Sequence, residues 1–382
     1  MTKTTDVLIV GGGVIGCSLA YYLQKAGRQV MVVDQGEIGA QASSAAVGLL
    51  APLVPFDNED FVPFLLASWA LFPTLVPELE AASGLAIAYQ QTGSLHTINH
   101  AKRVARLEQQ MHKWQRWGFH TVWLTGDEAR ACEPVLSERV CAAVAAPQEG
   151  QIHPSSLVAA FATAARNKGA FLCPQSGVTG LETKGTHVTG AALSTGEAVA
   201  CDSLVIAAGA WSSQRWQQWL GVPIPVRPVR GQALALHQPA ATPLTHILFG
   251  EGVYLAPRLD ETVVIGATTD EAGFDTRVTE EKIAFLLASA HRLVPALQAC
   301  SLVRAWAGLR PRTADSRPIL GRVPRWENVV LSTGHGAFGI TLSPLSGLAM
   351  TELLMTGQTP EVLRPFSLDR FLPQSSGTRA RK

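Results

Sequence analysis

Charge is what this sequence has least of. Only 16% of its residues are Asp, Glu, Lys or Arg, and 31 basic residues against 30 acidic ones leave a formal net charge of +1. So balanced a chain offers no basic field to a polyphosphate partner, which argues against nucleic acid binding. Cysteine is sparse too: six, at 17, 132, 141, 173, 201 and 300, with no C-x-x-C pair and no clustered spacing. That pattern supports neither a disulfide framework nor a zinc site, leaves no metal expected, and suits a reducing compartment. The start, MTKTTDVLIVGGG, lacks the basic head, longer apolar stretch and cleavage site of a secretory signal, so the expected location is the cytoplasm. No H-E-x-x-H, G-x-S-x-G or G-K-[ST] string occurs, which removes support for metal, nucleophile-triad and P-loop chemistry.

Long uncharged runs are also few. Residues 61–77 (FVPFLLASWALFPTLVP) come close to spanning length, but Pro63, Pro73 and Pro77 interrupt them. A buried or surface-lying helical segment is expected there, with no transmembrane helix.

What is present is 47% hydrophobic residues over 382 positions, too many for one compact core and comfortable for two domains. The short apolar run 6–10 suits a buried parallel strand, Cys17–Lys25 a helix closed by Gly27, and Gln29–Val33 a second strand. Residues 101–118 and 154–168 read as helices, 171–207 as short strands, and 224–270 as antiparallel sheet. Residues 277–299 return to helix. Val329–Ser332 is a strand, then a glycine-rich turn leads to a helix from about Ser343 to Met355, and the last eight or so residues look disordered. The order implies α/β plus antiparallel β. A discontinuous Rossmann-like domain (1–88, 150–220 and 310–382) would be interrupted by a substrate domain with a mixed or antiparallel sheet (89–149 and 221–309).

Three glycine-bearing segments carry the cofactor chemistry. In Gly11-x-Gly13-x-x-Gly16, the first glycine permits a tight turn, the second lets backbone amides approach a pyrophosphate, and the third lets helix and strand pack closely. Asp34 follows 18 residues after Gly16, where a carboxylate can accept hydrogen bonds from a ribose diol. Residues 40–50 (AQASSAAVGLL) are small enough to lie against a phosphate and an isoalloxazine ring. LVIAAGAWSS ends a strand in small residues around Gly209, where backbone must pass close to a neighbour. Before the last helix, Gly334-His335-Gly336-Ala337-Phe338-Gly339 would aim a helix N-terminus at a reduced flavin ring, an element that an NAD enzyme does not need. FAD is favoured over NAD.

The strings VLIVGGGVIGCSLAYYL, VVDQG, ASSAAVGLL, LVIAAGAWSS, RPVRGQ, GVYLAPR, VVIGATT and AWAGLRPRTADSRPILG resemble, in order, landmarks of the D-amino acid oxidase superfamily, and within it bacterial glycine oxidase. The resemblance runs from about residue 6 to 370, and the W-A-G-L-R-P segment is its most specific part. It implies FAD at a domain interface and oxidation of glycine, sarcosine or small D-amino acids. Val14, Ile15, Asp34, Gln35, Ala42, Ser43, Val47, Gly48, Leu49 and Val178 would line the FAD, with residues 335–341 (His335 to Gly339, Ile340 and Thr341). Thiamine biosynthesis is a role the resemblance brings for glycine oxidases. Covalently flavinylated relatives use a cysteine beyond the equivalent of Arg310, and residues 311–382 contain none, which implies non-covalent FAD. One departure stands out: glycine oxidases usually read G-H-[FY]-R-N-G in the last turn, and here Ala337 occupies the arginine position. The pocket loses a donor and gains volume, leaving room for a bulkier or secondary amine.

The residues supply a substrate anchor independently. A carboxylate is best held by a guanidinium fork, and Arg310 sits between Ala307-Gly308-Leu309 and Pro311, an odd place for a solvated arginine. An ion-pair role is the competing reading. Tyr254, one of only four tyrosines, lies on an expected strand and offers a second donor, as the corresponding family tyrosine does; core packing is its alternative. For His335 a backbone or flavin-orienting role is preferred to acid–base chemistry, because hydride transfer from a neutral amine rests on positioning. Arg230 stays open between a charge near the sheet and a surface residue. The expected cycle moves a hydride from Cα to flavin N5, gives an imine and then a 2-oxo acid, and returns electrons to oxygen. The alternative is a D-amino acid or hydroxyproline-type dehydrogenase that passes electrons to a quinone or partner subunit, with residues 61–77 as its docking surface. Homo-oligomer formation is left open.

Overall fold

The structure is a computed structural model that describes residues 3–53, 59–238 and 243–372. The C-terminal segment expected to be disordered lies outside the described residues.

The opening βαβ unit follows from its residue pattern. Lys3–Val10 is a strand buried on both faces along its apolar part: Val7 and Ile9 enter one core, and Leu8 and Val10 another on the opposite side. It starts earlier than its apolar run because Lys3 to Thr5 pair with Val199 to Cys201. Its sheet runs Val178–Lys184, His187–Leu193, Ala198–Ile206, Lys3–Val10, Val30–Val33, Phe171–Cys173. Ala198–Ile206 changes partners along its length. Its first half pairs antiparallel with His187–Leu193, and its second half parallel with Val329–Thr333. The chain's beginning, middle and end therefore meet in one sheet, covered by helices Val14–Lys25, Pro154–Asn167 and Gly339–Thr356 on the side of the first core.

The last helix begins at Gly339, not near Ser343 as expected. Pro344 looks like a start signal because it lacks the N–H that Ile340 needs. Ser343 Oγ instead donates to the Ile340 carbonyl at 2.8 Å, and Ser68 Oγ donates to that of Thr341 at 2.7 Å. Two serines thus let the helix continue through its proline.

Residues 61–77 form parts of two helices, Val62–Trp69 and Phe72–Ser83, each with a proline in its first turn and bent by 47° from each other. Among the described residues, one helical stretch, Gly336–Thr356, is long and apolar enough to cross a membrane, and 61% of its apolar 18-residue window is buried inside the fold. The expected helix at 101–118 is Val104–Arg116, with Leu107, Met111 and Trp114 as its one buried stripe.

A second eight-stranded sheet runs Leu302–Thr313, Val226–His237, Thr262–Gly266, Val253–Pro257, Ile247–Gly250, Ser94–Ile98, Ala142–Ala146, Val122–Thr125. The four pairings within 226–313 are antiparallel, as the residue pattern predicts. Ser94–Ile98 joins Ile247–Gly250 in parallel, so the sheet is mixed. One face packs against the helix Glu280–Leu293. The other face brings Ala233, Ala235, Ala256 and Val264 against Val47 of the nucleotide-side loop.

Candidate active site

One cavity of about 780 Å³ is lined from both large sheets. At one end stands the glycine fingerprint. Gly11 adopts a φ of +110°, and a β-carbon there would overlap the Ala207 carbonyl, so both turn and packing demand glycine. A β-carbon at Gly16 would overlap the Gly11 carbonyl; this residue packs helix on strand and does not line the cavity. Gly13 caps the helix with no side-chain hydrogen bond, and the first turn carries no acidic residue. Ser43 Oγ accepts from the Val14 amide at 2.9 Å, and the positive end of the 12-residue helix otherwise has no side-chain cap and can face an anion. Asp34 accepts from the amides of Gly12 at 2.7 Å and Gly36 at 2.8 Å, one on each oxygen, and keeps lone pairs for a diol. Glycine turn, open helix end and carboxylate sit in the arrangement that a dinucleotide such as FAD requires.

The loop after the second strand is held by the opposite sheet. Trp306 Nε1 donates to the Ala45 carbonyl at 3.0 Å, and Arg258 donates to that of Val47. Gly308 is bare where the Ala45 methyl approaches. Burial pulls Arg258 down to about 10, which leaves it charged at neutral pH. Thr341, expected on the cofactor, does not line the cavity and donates from Oγ1 to the Leu49 carbonyl at 3.4 Å. Apart from Gly16 and Thr341, the expected cofactor residues, including Val178, Gly209 and Ala337, border the cavity.

The far wall carries the substrate candidates. Period-2 alternation puts Trp306, Gly308 and Arg310 on one face of their strand. Arg310 lines the cavity, and its Nη1 donates to the Thr268 carbonyl at 2.9 Å. Among the described residues no carboxylate pairs with it. The ion-pair reading therefore lacks a partner. Tyr254 lines the same cavity, and burial raises its hydroxyl pKa while Arg310 and Arg258 pull it back, so it stays a donor at neutral pH. Phe249 stands beside it with ring centroids 6.3 Å apart.

His335 borders the cavity, but its Nε2 meets Ser346 Oγ of the last helix at 3.1 Å, and burial holds the imidazole down at about 3. A neutral ring committed to a helix suits orientation, not proton transfer at pH 7. Arg230 is buried on the opposite face of its strand, with Asp275 at 3.3 Å and Asp270 at 3.7 Å. It ties down the segment after the third strand of the sheet and is not a surface residue.

Sequence reading missed Trp306, Arg258, Phe249 and Trp211, all tied to this cavity or its loop. A charged residue closing the VYLAPR strand after proline was a signal for Arg258. Phe249 and Trp211 carried none.

The family model described as DAO, FAD dependent oxidoreductase, matches residues 6–353. The chain belongs to that family. Glycine oxidase of Geobacillus kaustophilus is 34% identical over 375 residues, covering 97% of this chain and 98% of that protein. Its crystal structure superposes with a TM-score of 0.91 over 97% of this chain and 100% of that one. Hydrogen cyanide synthase subunit HcnC of Pseudomonas aeruginosa is 31% identical, covering 98% of each chain. Iminodiacetate oxidase of Chelativorans sp. gives a TM-score of 0.86 at 27% identity, over 95% of this chain and 98% of that one. An FAD-dependent amino acid oxidase or dehydrogenase fold is thereby shown, and FAD is its cofactor.

Proposed function

We propose that this protein oxidises the Cα–N bond of a small amino acid, glycine, sarcosine or a small D-amino acid, to an imine that hydrolyses to the 2-oxo acid, with oxygen as electron acceptor. The observation that carries the reading is Arg310: a guanidinium with no carboxylate partner among the described residues, in the same cavity as the glycine fingerprint. When bound, FAD supplies the acceptor for the hydride that leaves Cα. Gly11, Gly13, Asp34 and the loop Ala42 to Leu49 would hold it. No cysteine among the described residues lines the cavity, which supports non-covalent binding.

Arg310 and Tyr254 fix the substrate carboxylate by charge-assisted and neutral hydrogen bonds, and Phe249, Val47 and Leu49 shield the reacting carbon from water. His335 holds the last turn and moves no proton. Ala337 leaves the cavity without a further cation in that turn, which favours an amine larger than that of glycine. The division into a cofactor unit and a substrate unit belongs to this reading, as does a cytoplasmic location, which the six free cysteines fit. The dehydrogenase reading drew support from residues 61–77 as a suitable docking surface. Phe64, Leu65, Phe72 and Leu75 are instead core residues, and that support is gone.

The test is anaerobic mixing of the FAD-loaded protein with glycine, sarcosine, D-alanine and D-proline while visible flavin absorbance is followed. Bleaching by at least one, with hydrogen peroxide formed on admitting air, is expected. A spectrum unmoved by all four defeats the reading. Bleaching followed by dye reduction without peroxide moves the acceptor away from oxygen.

A further inference from the structure

The two candidate anchors lie across glycines. Gly231 is absent from the left-handed region and lies inside a regular strand, so its backbone would tolerate a side chain. A β-carbon on Gly231 would come within 3.0 Å of Cζ, Nη1 and Nη2 of Arg310 together. One on Gly266 would come within 3.0 Å of the Tyr254 hydroxyl and its ring carbon.

The strand register explains why. Arg310 stands opposite Val229, and Gly231 opposite Gly308, so Gly231 is the diagonal neighbour of Arg310 on the cavity face. Diagonal neighbours lie about 7–8 Å apart, within reach of an arginine lying flat. The guanidinium crosses the Val226–His237 strand above Gly231 and ends on the carbonyl of Thr268. Thr268 is itself bound to the next residue, Gln232, through its amide at 3.2 Å and its hydroxyl at 3.0 Å. The route from Arg310 to its backbone partner therefore passes over the one position of that strand with no side chain to block it. Tyr254 repeats the device directly, standing opposite Gly266 with its phenol laid over it.

We propose that Gly231 is a positioning residue: its missing side chain is the seat on which Arg310 lies flat, presenting the guanidinium edge to a substrate carboxylate. Gly266 seats Tyr254 in the same way. The inference rests on the reading of Arg310 as carboxylate anchor. Any side chain at 231 lifts the guanidinium off the sheet and off Thr268, and a displacement of about 1 Å in a binding group is enough to cost two orders of magnitude.

The test uses the FAD-loaded full chain and glycolate, which keeps the carboxylate and replaces the amine by a hydroxyl. Glycolate affinity is read from the perturbation of flavin absorbance, in Gly231→Ala, Arg310→Leu and the double variant. The expected result is glycolate binding weakened at least about tenfold by Gly231→Ala, with amino acid KM rising in parallel, kcat within about threefold and FAD content unchanged. In the Arg310→Leu background the same glycine substitution should do almost nothing, because its effect runs through the guanidinium. Unchanged glycolate binding in Gly231→Ala overturns the proposal, and so does an equal loss in both backgrounds. Unchanged binding in Arg310→Leu instead removes the anchor itself. Should Gly231→Ala fail to fold, recovery of folded holoprotein in the double variant supports the contact, and failure there as well overturns it.

Discussion

The two ends of the cavity are built on opposite plans. At the proposed nucleotide end the backbone would do the recognising: a glycine turn, a helix terminus and a strand-end carboxylate, all within the first 34 residues. At the proposed substrate end side chains would do it, from strands as far apart in sequence as Gly231 and Arg310, brought together only by register. Glycine serves both ends, but for different reasons. Gly11 is required by its own φ and by the Ala207 carbonyl, whereas Gly231 is required by another residue's side chain. A backbone-built site is a local property of sequence. A side-chain-built site is a property of the sheet.

That contrast can be broken first at the nucleotide end. Gly11→Val, which meets both a left-handed angle and a carbonyl, should abolish flavin retention, measured as FAD per protein after purification. At the substrate end the losses should be graded. Tyr254→Phe removes one donor and keeps the ring, so KM should rise about tenfold with FAD content intact, from the roughly 1–1.5 kcal/mol of one buried hydrogen bond. Between the two ends, Trp306→Phe loses the bond to the Ala45 carbonyl, and FAD dissociation should rise about fivefold, read by flavin fluorescence titration. The smallest effect on rate belongs to His335→Asn. Burial holds this imidazole at about 3 against an ordinary 6.5, so it is uncharged at working pH and the pH–rate profile should keep its shape from pH 5 to 9. Its effect is on stability. A depressed histidine contributes stability that is full above 6.5 and fades as pH falls toward 3, so the variant's melting temperature should fall less steeply across that window.

The local plan was readable from sequence and the register plan only in part. The fingerprint, Asp34 and the small-residue loop announce themselves by spacing. Arg310 showed itself because apolar neighbours flank a charge, and Tyr254 because tyrosine is rare. Gly231 was visible in RPVRGQ without a reason, since the reason lies 79 residues on at Arg310. Trp306 and Arg258 reach carbonyls of Ala45 and Val47 more than 200 residues back, and no periodicity encodes such a pairing. The start of the last helix was misplaced for a related cause: Ser343 supplies the Ile340 carbonyl with the hydrogen bond that Pro344 withholds, and Ser68, from a distant helix, serves the carbonyl of Thr341. Gly16 and Thr341 were read onto the cofactor from their places in or beside its turns, and neither lines the cavity.

The most direct test compares the protein with Arg310→Leu in an anaerobic titration by whichever amino acid bleaches the flavin best. Equal FAD content in both, with half-bleaching in the variant shifted upward about 100-fold, is the result expected for loss of a charge-assisted carboxylate contact of about 2.7 kcal/mol. Half-bleaching at the same concentration in both would show that the lone guanidinium on the far wall does not hold the substrate.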